Sequence, residues 1–268
     1  MIILVKALVT TSLKYTAEIV SMARKIAYNL NIQFVHRGNF SLADLEEKFD
    51  TSGILVVSKD RFYVYIQGED FFFHPGMAKM RIKGLKNGNN DQMISAMNLK
   101  SGDSVLDCTV GLGSDAVVAN YVVGNDGKVT GLESNSLIAY VVREGIKEYE
   151  NPSFTLTMAV KGIEVINADH RLFLKEIPDK SFDVVYFDPM FREPVYKSSG
   201  MMPLRKLANY DPIDINSVNE ACRVAKKRVV IKERSNSDEF HRLGCIGTVA
   251  GKKSPIAYGY IAVGGDDN

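Results

Sequence analysis

A short polar and aromatic segment, DPMF at residues 188–191, directly follows the apolar run Val184–Phe187. The interior of a buried parallel strand rarely holds a carboxylate, so Asp188 is expected where the strand leaves the sheet, at an edge where ligands bind. There the Asp188 carboxylate and the Pro189 carbonyl could accept two hydrogen bonds from one planar amino group, and Phe191 offers a ring face for stacking. We therefore predict that Asp188, Pro189, Met190 and Phe191 are catalytic. The alternative is a strand-end turn, with Phe191 packed against the sheet.

A glycine-containing loop lies between a strand-like and a helix-like segment in SVLDCTVGLGSDA, residues 104–116. Gly111 and Gly113 allow a sharp turn and a close approach of a ligand to the backbone, as in nucleotide-binding loops. The spacing Gly111-x-Gly113-x-x-Ala116 also satisfies the dinucleotide fingerprint, with Glu133 about twenty residues further on for a ribose hydroxyl. The glycine pattern alone therefore leaves more than one nucleotide-like ligand open.

Asp107, at the end of the first strand of this motif, discriminates between these ligands. Beside a pyrophosphate its carboxylate would add like-charge repulsion, whereas beside the ammonium group of S-adenosylmethionine it would be an opposite-charge partner. Asp115, in the first helical turn, is also easier to accommodate when the ligand carries no phosphate. The residues therefore favour S-adenosylmethionine. The alternatives are a dinucleotide, or an Asp107 that only caps a turn.

Four motifs occur in the order found in one enzyme class: LDCTVGLGSDA, Glu133 in GLES, Asp169 in NAD, and FDPMF. Over roughly residues 90–265 the chain resembles the class I S-adenosylmethionine-dependent methyltransferases. Within that class it is similar to the bacterial small-subunit rRNA guanine-N2 methyltransferases, whose motifs read much like DCTVGLGSDA and DPMF or DPMY. It is closer still to related bacterial methyltransferase-like proteins that carry an N-terminal extension.

The resemblance has two departures, which concern the substrate more than the reaction. Where the rRNA family continues its DPMF with a His-Arg-rich stretch, this chain reads REPVYKSSGMMPLRK. The first seventy or so residues find no match in the rRNA family. The reaction type is therefore expected to carry over better than the exact substrate.

The resemblance also implies roles for individual residues, with S-adenosylmethionine as the cofactor. Ser114 and Asp115 would line the cofactor pocket, and Glu133 and Ser134 would hold the ribose and its surroundings. Asp169 and His170 would lie beside the adenine, and Asp188 near the methyl donor. With the glycine loop included, the predicted cofactor-binding residues are Asp107, Thr109, Gly111, Gly113, Ser114, Asp115, Glu133, Ser134, Asp169, His170 and Asp188.

A segment rich in aromatic and basic residues, FFFHPGMAKMRIKGLK at residues 71–86, precedes these motifs. It combines stacking surface with phosphate-binding charge, as a groove for single-stranded or flipped-out RNA would. The predicted substrate-contacting residues are His74, Lys79, Arg81, Lys83, Arg192, Lys197 and Arg205, the last three from the segment after DPMF. The alternative is that the phenylalanines are core residues and the cations are the solvated side of a helix.

The residues singled out above lie on segments that alternate between strand-like and helix-like patterns. From Val105 onward, strand-like and helix-like segments repeat about every thirty residues, which is the pattern of a doubly wound α/β domain. We predict a Rossmann-like, seven-stranded, mostly parallel sheet that ends in an antiparallel hairpin around AGKKSP. Residues 1–86 are predicted to form a small α+β domain, with a helix capped by Ser41 and a possible role in substrate recognition. Residues 87–268 would form the methyltransferase catalytic domain.

Composition and charge argue against several other classes of protein. A formal net charge of +1 argues against a protein that coats nucleic acid through global charge. The second basic stretch, RVAKKRVVIKER at residues 223–234, is interpreted as a helix end and a strand with solvated charges. The 3 cysteines are too scattered for a disulfide framework or a CxxC site, and no HExxH motif occurs, so no metal is expected. The apolar runs are too short to cross a bilayer, and a cytoplasmic location is expected.

Together these features favour an N-methyltransferase acting on an exocyclic amino group of a nucleobase, with guanine N2 in ribosomal RNA or a ribosomal subunit as the first choice. A DNA base or a protein amide would present a similar planar NH₂ group. A nicotinamide oxidoreductase could use the same glycine loop, although Asp107 and the missing His/Lys/Tyr constellation speak against it. A module that binds the cofactor or RNA without turnover is the last alternative.

Overall fold

The computed structural model describes residues 6–189 and 211–264. The described residues divide into two compact units, one formed by residues 6–73 and 135–145 and the other by residues 74–134, 146–189 and 211–264. These units come from the packing of the structure, whereas the domain boundary that we placed between residues 86 and 87 stays a prediction.

Among its described residues the first unit contains a mixed sheet, two complete helices and part of a third. Its elements are β1 (Ala7–Thr11), α1 (Ala17–Leu30), β2 (Gln33–Phe34), α2 (Leu42–Phe49), β3 (Gly53–Val57), β4 (Phe62–Ile66) and β5 (Glu69–Phe71). Among the described residues the strand order is β2-β1-β3-β4-β5, with β1 parallel to both of its neighbours and the β3–β4 and β4–β5 pairs antiparallel. This agrees with the predicted small N-terminal α+β unit.

Local sequence accounts for these elements. Helix α2 begins as predicted at Ser41, whose hydroxyl accepts from the amide of Asp44 while the Asp44 carboxylate accepts from the amide of Ser41. Gln67 and Gly68 join β4 to β5 in a two-residue turn with φ of 45° and 88°, which is the left-handed pair that a tight hairpin requires. Leu8, Leu45, Ile54 and Val56 form the buried core between sheet and helix.

The second unit holds the alternating helices and strands. Its elements are α3 (Ala78–Lys86), α4 (Gln92–Met97), β6 (Ser104–Asp107), α5 (Ser114–Val123), β7 (Lys128–Glu133), α7 (Phe154–Lys161), β8 (Ile163–Asn167), α8 (His170–Glu176), β9 (Phe182–Phe187), α9 (Ile215–Val224), β10 (Ala225–Arg234), α10 (Glu239–Arg242), β11 (Gly247–Ala250) and β12 (Ile256–Ala262). Helix α6 (Ser136–Glu148) follows β7, and its residues 136–145 belong to the first unit.

The sheet of the second unit confirms the predicted fold. Within the described residues seven strands lie in the order β11-β12-β10-β9-β6-β7-β8. The strands from β10 to β8 are parallel, and β12 pairs antiparallel with β10 and β11 to form the predicted closing hairpin. Helices cover both faces, so the central strands are buried almost completely and consist of continuous apolar runs such as Val184–Phe187.

A polar contact at the amino ends of β6 and β9 sets their register. The amide and hydroxyl of Ser104 both donate to Asp183 Oδ2, at 2.9 and 2.7 Å, and the amide of Asp183 donates back to Ser104 Oγ at 2.9 Å. A slip of one residue would lose all three hydrogen bonds and turn every side chain to the other face. The same register determines which residues meet at the carboxyl ends.

Candidate active site

The carboxyl ends of three adjacent parallel strands bring charged residues together. Asp107 lies opposite Tyr186 across β6 and β9, and Ile231 lies opposite Phe187 across β10 and β9. The next residues along β9 and β10, Asp188 and Lys232, therefore leave the sheet side by side. Asp188 lies at the strand end, as predicted.

The glycine loop between β6 and α5 is fastened on both sides. The amide of Cys108 donates to the Tyr186 carbonyl at 2.8 Å, and the amide of Val110 donates to the Leu132 carbonyl at 3.0 Å. Gly111 and Gly113 have φ of 49° and 75°, in the left-handed region where glycine carries no steric penalty. Gly113 is the N-cap of α5 and supplies no side-chain cap, so the first amides of the helix keep their capacity to bind a ligand.

Gly131 in β7 makes room for this loop. A Cβ atom at Gly131 would lie 2.5 Å from Val110 Cγ2 and 2.7 Å from Val110 Cβ. The loop therefore packs directly on the backbone of the neighbouring strand, at a spacing that only glycine permits.

Asp107 is buried at the base of the loop, with 2% of its surface exposed. Its Oδ1 accepts from the amide of Thr109 at 3.0 Å. Burial raises the pKa of Asp107 well above its usual range, and the nearby Asp115 and Asp188 add to the effect. A cationic group brought next to Asp107 would favour its ionised form again, as predicted for the ammonium of the cofactor.

Asp188 is held on two sides. Its amide donates to Thr109 Oγ1 at 2.6 Å, and its Oδ2 accepts from Lys232 Nζ at 2.7 Å. The side chain remains 28% exposed, so it can still be reached by a substrate. Burial raises the pKa of Asp188 to about 6, against the opposing effect of Lys232.

Several predicted residues fall outside the described part of the chain. They are Met190, Phe191, Arg192, Lys197 and Arg205, and their proposed catalytic and substrate roles stay predictions. Pro189 is the last described residue before this segment.

Asp115, which was predicted to line the cofactor pocket, has a carboxylate that three side chains of the protein contact. Its carboxylate accepts from Arg81, from the Tyr186 hydroxyl at 2.8 Å and from Lys232 Nζ at 3.0 Å. Burial alone would raise the pKa of Asp115, but Lys232 and Arg81 hold it well below its usual range. The side chain therefore links α5 to α3, β9 and β10, and the cofactor contact of Asp115 stays a prediction.

Arg81, whose predicted contact with substrate stays a prediction, is bound by two carboxylates of the protein. Its Nε and Nη2 donate to the two oxygens of Asp91 at 2.7 and 2.8 Å, and Nη1 donates to Asp115. Both carboxylates lie outside the helix that carries Arg81, so its helical position alone could not reveal them. Lys79, Lys83 and Lys86 of the same helix are exposed, and they retain the predicted basic surface.

The segment with His74 packs directly against the glycine loop. Ser114 Oγ donates to the Pro75 carbonyl at 3.1 Å, and a Cβ atom at Gly76 would lie 2.6 Å from the same hydroxyl. Gly76 has φ of 52°, and its amide donates to His74 Nδ1 at 3.2 Å. The structure thus brings the predicted substrate segment next to the predicted cofactor loop, and it uses the Ser114 hydroxyl to do so.

The carboxyl ends of β7 and β8 are joined by a residue that sequence reasoning did not single out. Asn167 Nδ2 donates to the carbonyls of Glu133 and Ser134, at 2.7 and 3.2 Å, and the amide of Ala168 donates to Glu133 at 3.0 Å. Glu133 and Ser134 therefore lie at the same edge of the sheet as Asp107, as the motif order predicts.

Asp169 and His170 begin helix α8 at this edge. Asp169 caps the helix by accepting from the amide of Arg171 at 2.9 Å, and its Oδ2 also accepts from Arg171 Nη2 at 2.6 Å. Hydrogen bonding to Arg171 lowers the pKa of Asp169. His170 packs edge-on against Phe187, with 5.5 Å between ring centroids, and burial lowers its pKa so that the neutral ring is favoured.

Lys232 is the most informative residue that the sequence analysis missed. It was interpreted as a solvated charge, yet only 16% of its side chain is exposed. One signal was available: Lys232 follows the apolar run VVI just as Asp188 follows VVYF. Charged residues directly after two buried parallel runs indicate a shared strand-end site.

Comparison with known proteins identifies the family to which the chain belongs. A model of the family described as "Putative SAM-dependent methyltransferase" matches residues 43–254. The chain belongs to this family. Its cofactor is S-adenosylmethionine, and the alternatives of a nicotinamide oxidoreductase and of a binding module without turnover are set aside. The buried Asp107 carboxyl fits the cationic ammonium group of this cofactor, and the left-handed glycines allow a ligand to approach the backbone closely.

Individual relatives of this methyltransferase differ in coverage. "Uncharacterized protein YpiP" of Bacillus subtilis is 39% identical over 255 residues, which are 95% of this chain and 98% of that protein. "Ribosomal RNA small subunit methyltransferase J" of Coxiella burnetii is 34% identical over 153 residues, which span 54% of this chain and 56% of the relative. The crystal structure of the SAM-dependent methyltransferase NGO1261 from Neisseria gonorrhoeae superposes with a TM-score of 0.65 over 97% of both chains at 17% identity, which shows a shared fold.

Membrane spans and metal clusters are both missing from the described residues of this methyltransferase. No helix in that part of the chain is long and apolar enough to span a membrane. No group of three or more His, Cys, Asp and Glu side chains there could hold a metal ion.

Proposed function

We propose that the protein methylates an exocyclic amino group of a nucleobase, and that its substrate is guanine N2 in ribosomal RNA. The observation that carries the proposal is the Asp188-Pro189 pair at the end of β9. The Asp188 amide donates to Thr109 of the glycine loop, and its carboxyl group interacts with the buried Asp107. The Asp188 side chain is 28% exposed and remains accessible. The half-chain similarity to proteins named as small-subunit rRNA methyltransferases supports RNA as the substrate class.

The residues proposed to bind the cofactor lie at the carboxyl ends of the same parallel strands. S-adenosylmethionine, when bound, supplies a methyl group on a cationic sulfur that a nitrogen lone pair can attack. The free amides at the start of α5 and the Asp107 carboxylate would hold its methionine part. Glu133 and Ser134 would hold the ribose, and Asp169 and the neutral His170 would lie beside the adenine.

Asp188 and Pro189 would act on the nucleophile. The lone pair of a base amino group is delocalised into the ring, so the group is a poor nucleophile until it is distorted. Two hydrogen bonds accepted by the Asp188 carboxylate and the Pro189 carbonyl would draw the nitrogen towards tetrahedral geometry and aim its lone pair. The N–C bond would form as the methyl–sulfur bond breaks with its electron pair going to sulfur. The nitrogen would then carry positive charge that Asp188 stabilises, and its extra proton would leave to Asp188 or water.

The substrate side of the proposal depends on helix α3 and the turn before it. His74, Pro75 and Gly76 lie against Ser114 of the glycine loop, and Lys79, Lys83 and Lys86 are exposed on the same unit. Exposed lysines near a catalytic edge can bind the RNA backbone without reading its sequence. Residues 1–86 are proposed to take part in recognition of the substrate.

A direct assay tests the proposed function. Purified protein and methyl-labelled S-adenosylmethionine are incubated separately with ribosomal subunits from a strain lacking the gene, with the extracted rRNA, with DNA and with total protein. We expect label in subunits or rRNA, recovered as N2-methylguanosine after nucleoside analysis, and none with Asp188→Asn. Label found only in DNA or protein would refute the RNA assignment, and label in another nucleoside would refute guanine N2.

A further inference from the structure

We infer that Lys232 is a positioning residue for methyl transfer: it orients the Asp188 carboxylate so that one oxygen remains directed towards the substrate amino group. This inference rests on the proposed function, because it gives Asp188 the task described above. Lys232 itself would touch neither the cofactor nor the substrate. It would act through Asp188.

The contact geometry supports this role. Lys232 Nζ lies 2.7 Å from Asp188 Oδ2 and 3.0 Å from Asp115 Oδ2. The ammonium group is therefore shared by a carboxylate at the accessible edge and one deeper in the unit, whose side chains are 28% and 11% exposed. Since Lys232 engages Asp188 through Oδ2, Asp188 Oδ1 is the oxygen assigned to the substrate.

The position of Lys232 is in turn determined by buried neighbours. Asp115 also accepts from the Tyr186 hydroxyl and from Arg81, and Arg81 is bound through two hydrogen bonds to Asp91. Helices α3 and α5 and strand β9 thus all contribute to a single ion-pair network. A flexible lysine held in this way loses most of its rotamer freedom before the substrate arrives, which is the condition for pre-organisation.

Lys232 also bears on the charge of Asp188. Within the part of the chain that the structure describes, the groups that face Asp188 are Lys232 from β10, Asp115 from α5, Asp107 from β6, Tyr186 from β9 and Tyr258 from β12. Burial raises the Asp188 pKa to about 6 and Asp115 raises it too, whereas Lys232 lowers it. Without Lys232 the carboxyl would stay protonated to higher pH, and a protonated oxygen donates a hydrogen bond where an acceptor is needed.

The test compares Lys232→Met, Lys232→Arg and Lys226→Met. Lys226 belongs to the same strand but lies at its amino end, where it is 3.7 Å from Asp183 and more exposed. The Asp188 carboxyl is titrated by carbon NMR, with its signal assigned by its loss in Asp188→Asn. S-adenosylmethionine affinity is measured by calorimetry, and kcat/KM is measured against pH.

In Lys232→Met we expect the Asp188 titration to move up by about one pH unit or more, and the acidic limb of kcat/KM to move with it. That shift alone should lower kcat at pH 7 by about twofold, and the loss of the orienting contact should bring the total fall to about tenfold or more. Lys232→Arg should restore most of the titration and of kcat, and Lys226→Met should change neither. Cofactor affinity should change less than about threefold. If Lys232→Met does not fold, Lys232→Gln takes its place, since it keeps a hydrogen-bond donor without the charge.

An unchanged Asp188 titration in the folded Lys232→Met or Lys232→Gln variant would overturn the inference. The NMR and calorimetric measurements need no methyl acceptor. They therefore test the effect of Lys232 on Asp188 even if RNA proves to be the wrong substrate. Failure to methylate RNA with an intact titration shift would instead count against the proposed function alone.

Discussion

Asp188 Oδ2 and Lys232 Nζ lie 2.7 Å apart at the carboxyl ends of neighbouring parallel strands, although 44 residues separate them in the chain. The pair places a partly exposed acid next to a buried cation. An acid in this setting can change its protonation within the ordinary pH range of an enzyme assay, since its pKa is raised to about 6. This has a direct consequence for the rate.

The first prediction concerns the pH dependence of methyl transfer. Asp188 must be ionised to accept hydrogen bonds from the substrate, so kcat/KM should fall as the pH drops through about 6. Asp188→Asn should lower kcat/KM by about 100-fold or more above pH 7 and remove this limb, so that the difference from wild type shrinks towards pH 5. Initial rates with labelled cofactor between pH 5 and 9 would show it. An acidic limb near the ordinary aspartate pKa of about 4 would contradict the assignment.

The second prediction concerns the stability provided by Asp115. Asp115→Asn would leave the buried Arg81 and Lys232 without their shared partner, and we expect a loss of about 3 kcal/mol or more in the free energy of unfolding by urea at pH 7. Because the pKa of Asp115 is lower folded than unfolded, its contribution is present above about pH 4 and is lost as the pH falls further. The difference between wild type and variant should therefore shrink at low pH.

The exposed Asp126 offers a matched control for this experiment. Asp126→Asn removes the same charge from a surface turn and should change the free energy of unfolding by less than about 0.5 kcal/mol. Equal effects of the two substitutions would show that the network around Asp115 contributes no special stability.

The third prediction concerns the packing of the glycine loop. Gly131→Ala places a methyl group 2.5 Å from Val110, so the loop must shift away from β7. We expect S-adenosylmethionine affinity to fall about tenfold or more and stability to fall by about 1–3 kcal/mol. Gly84→Ala, in helix α3, meets only the Asn89 side chain at 3.6 Å and serves as the control. Unchanged cofactor affinity in Gly131→Ala would show that the packing of this loop does not contribute to cofactor binding.

The fourth prediction concerns the basic surface of α3. A Lys79→Ala/Lys83→Ala variant should bind RNA more weakly, and the slope of log affinity against log salt should decrease by about one for each phosphate that is no longer neutralised. Cofactor affinity should not change. Lys128→Ala/Lys226→Ala removes two exposed lysines from the opposite edge of the sheet and is the matched control. Similar RNA affinity in both variants would exclude a specific role for α3.

The fifth prediction concerns a buried arginine in the first unit. Arg37 is 5% exposed, and its Nε and Nη1 have no hydrogen-bond partner among the described residues. Burial lowers its pKa, so the charge is held at a cost. Replacement by an apolar side chain in Arg37→Met should raise the free energy of unfolding by about 1 kcal/mol, measured in urea. Lys25→Met, on the exposed face of α1, should be nearly neutral. A large destabilisation by Arg37→Met would show that the guanidinium has an unseen partner.

The sequence alone identified those features that depend on neighbours along the chain. The helix start at Ser41 needs only Asp44 three residues later, and the turn at Gly111 and Gly113 needs only the absence of side chains. The position of Asp188 followed from the apolar run before it. Hydrophobic periodicity and turn chemistry are local, so they can be read without coordinates.

The tertiary structure decided which charges pair. Lys232 and Asp115 are 117 residues apart in the chain, and Arg81 and Asp115 are 34 apart. Local patterns made Arg81 part of a basic surface, Asp115 a cofactor contact and Lys232 a solvated charge. The fold instead buries all three in one network, because strand order and register determine which distant side chains meet. A buried charge must then find a partner there, since leaving it unpaired costs more than pairing it.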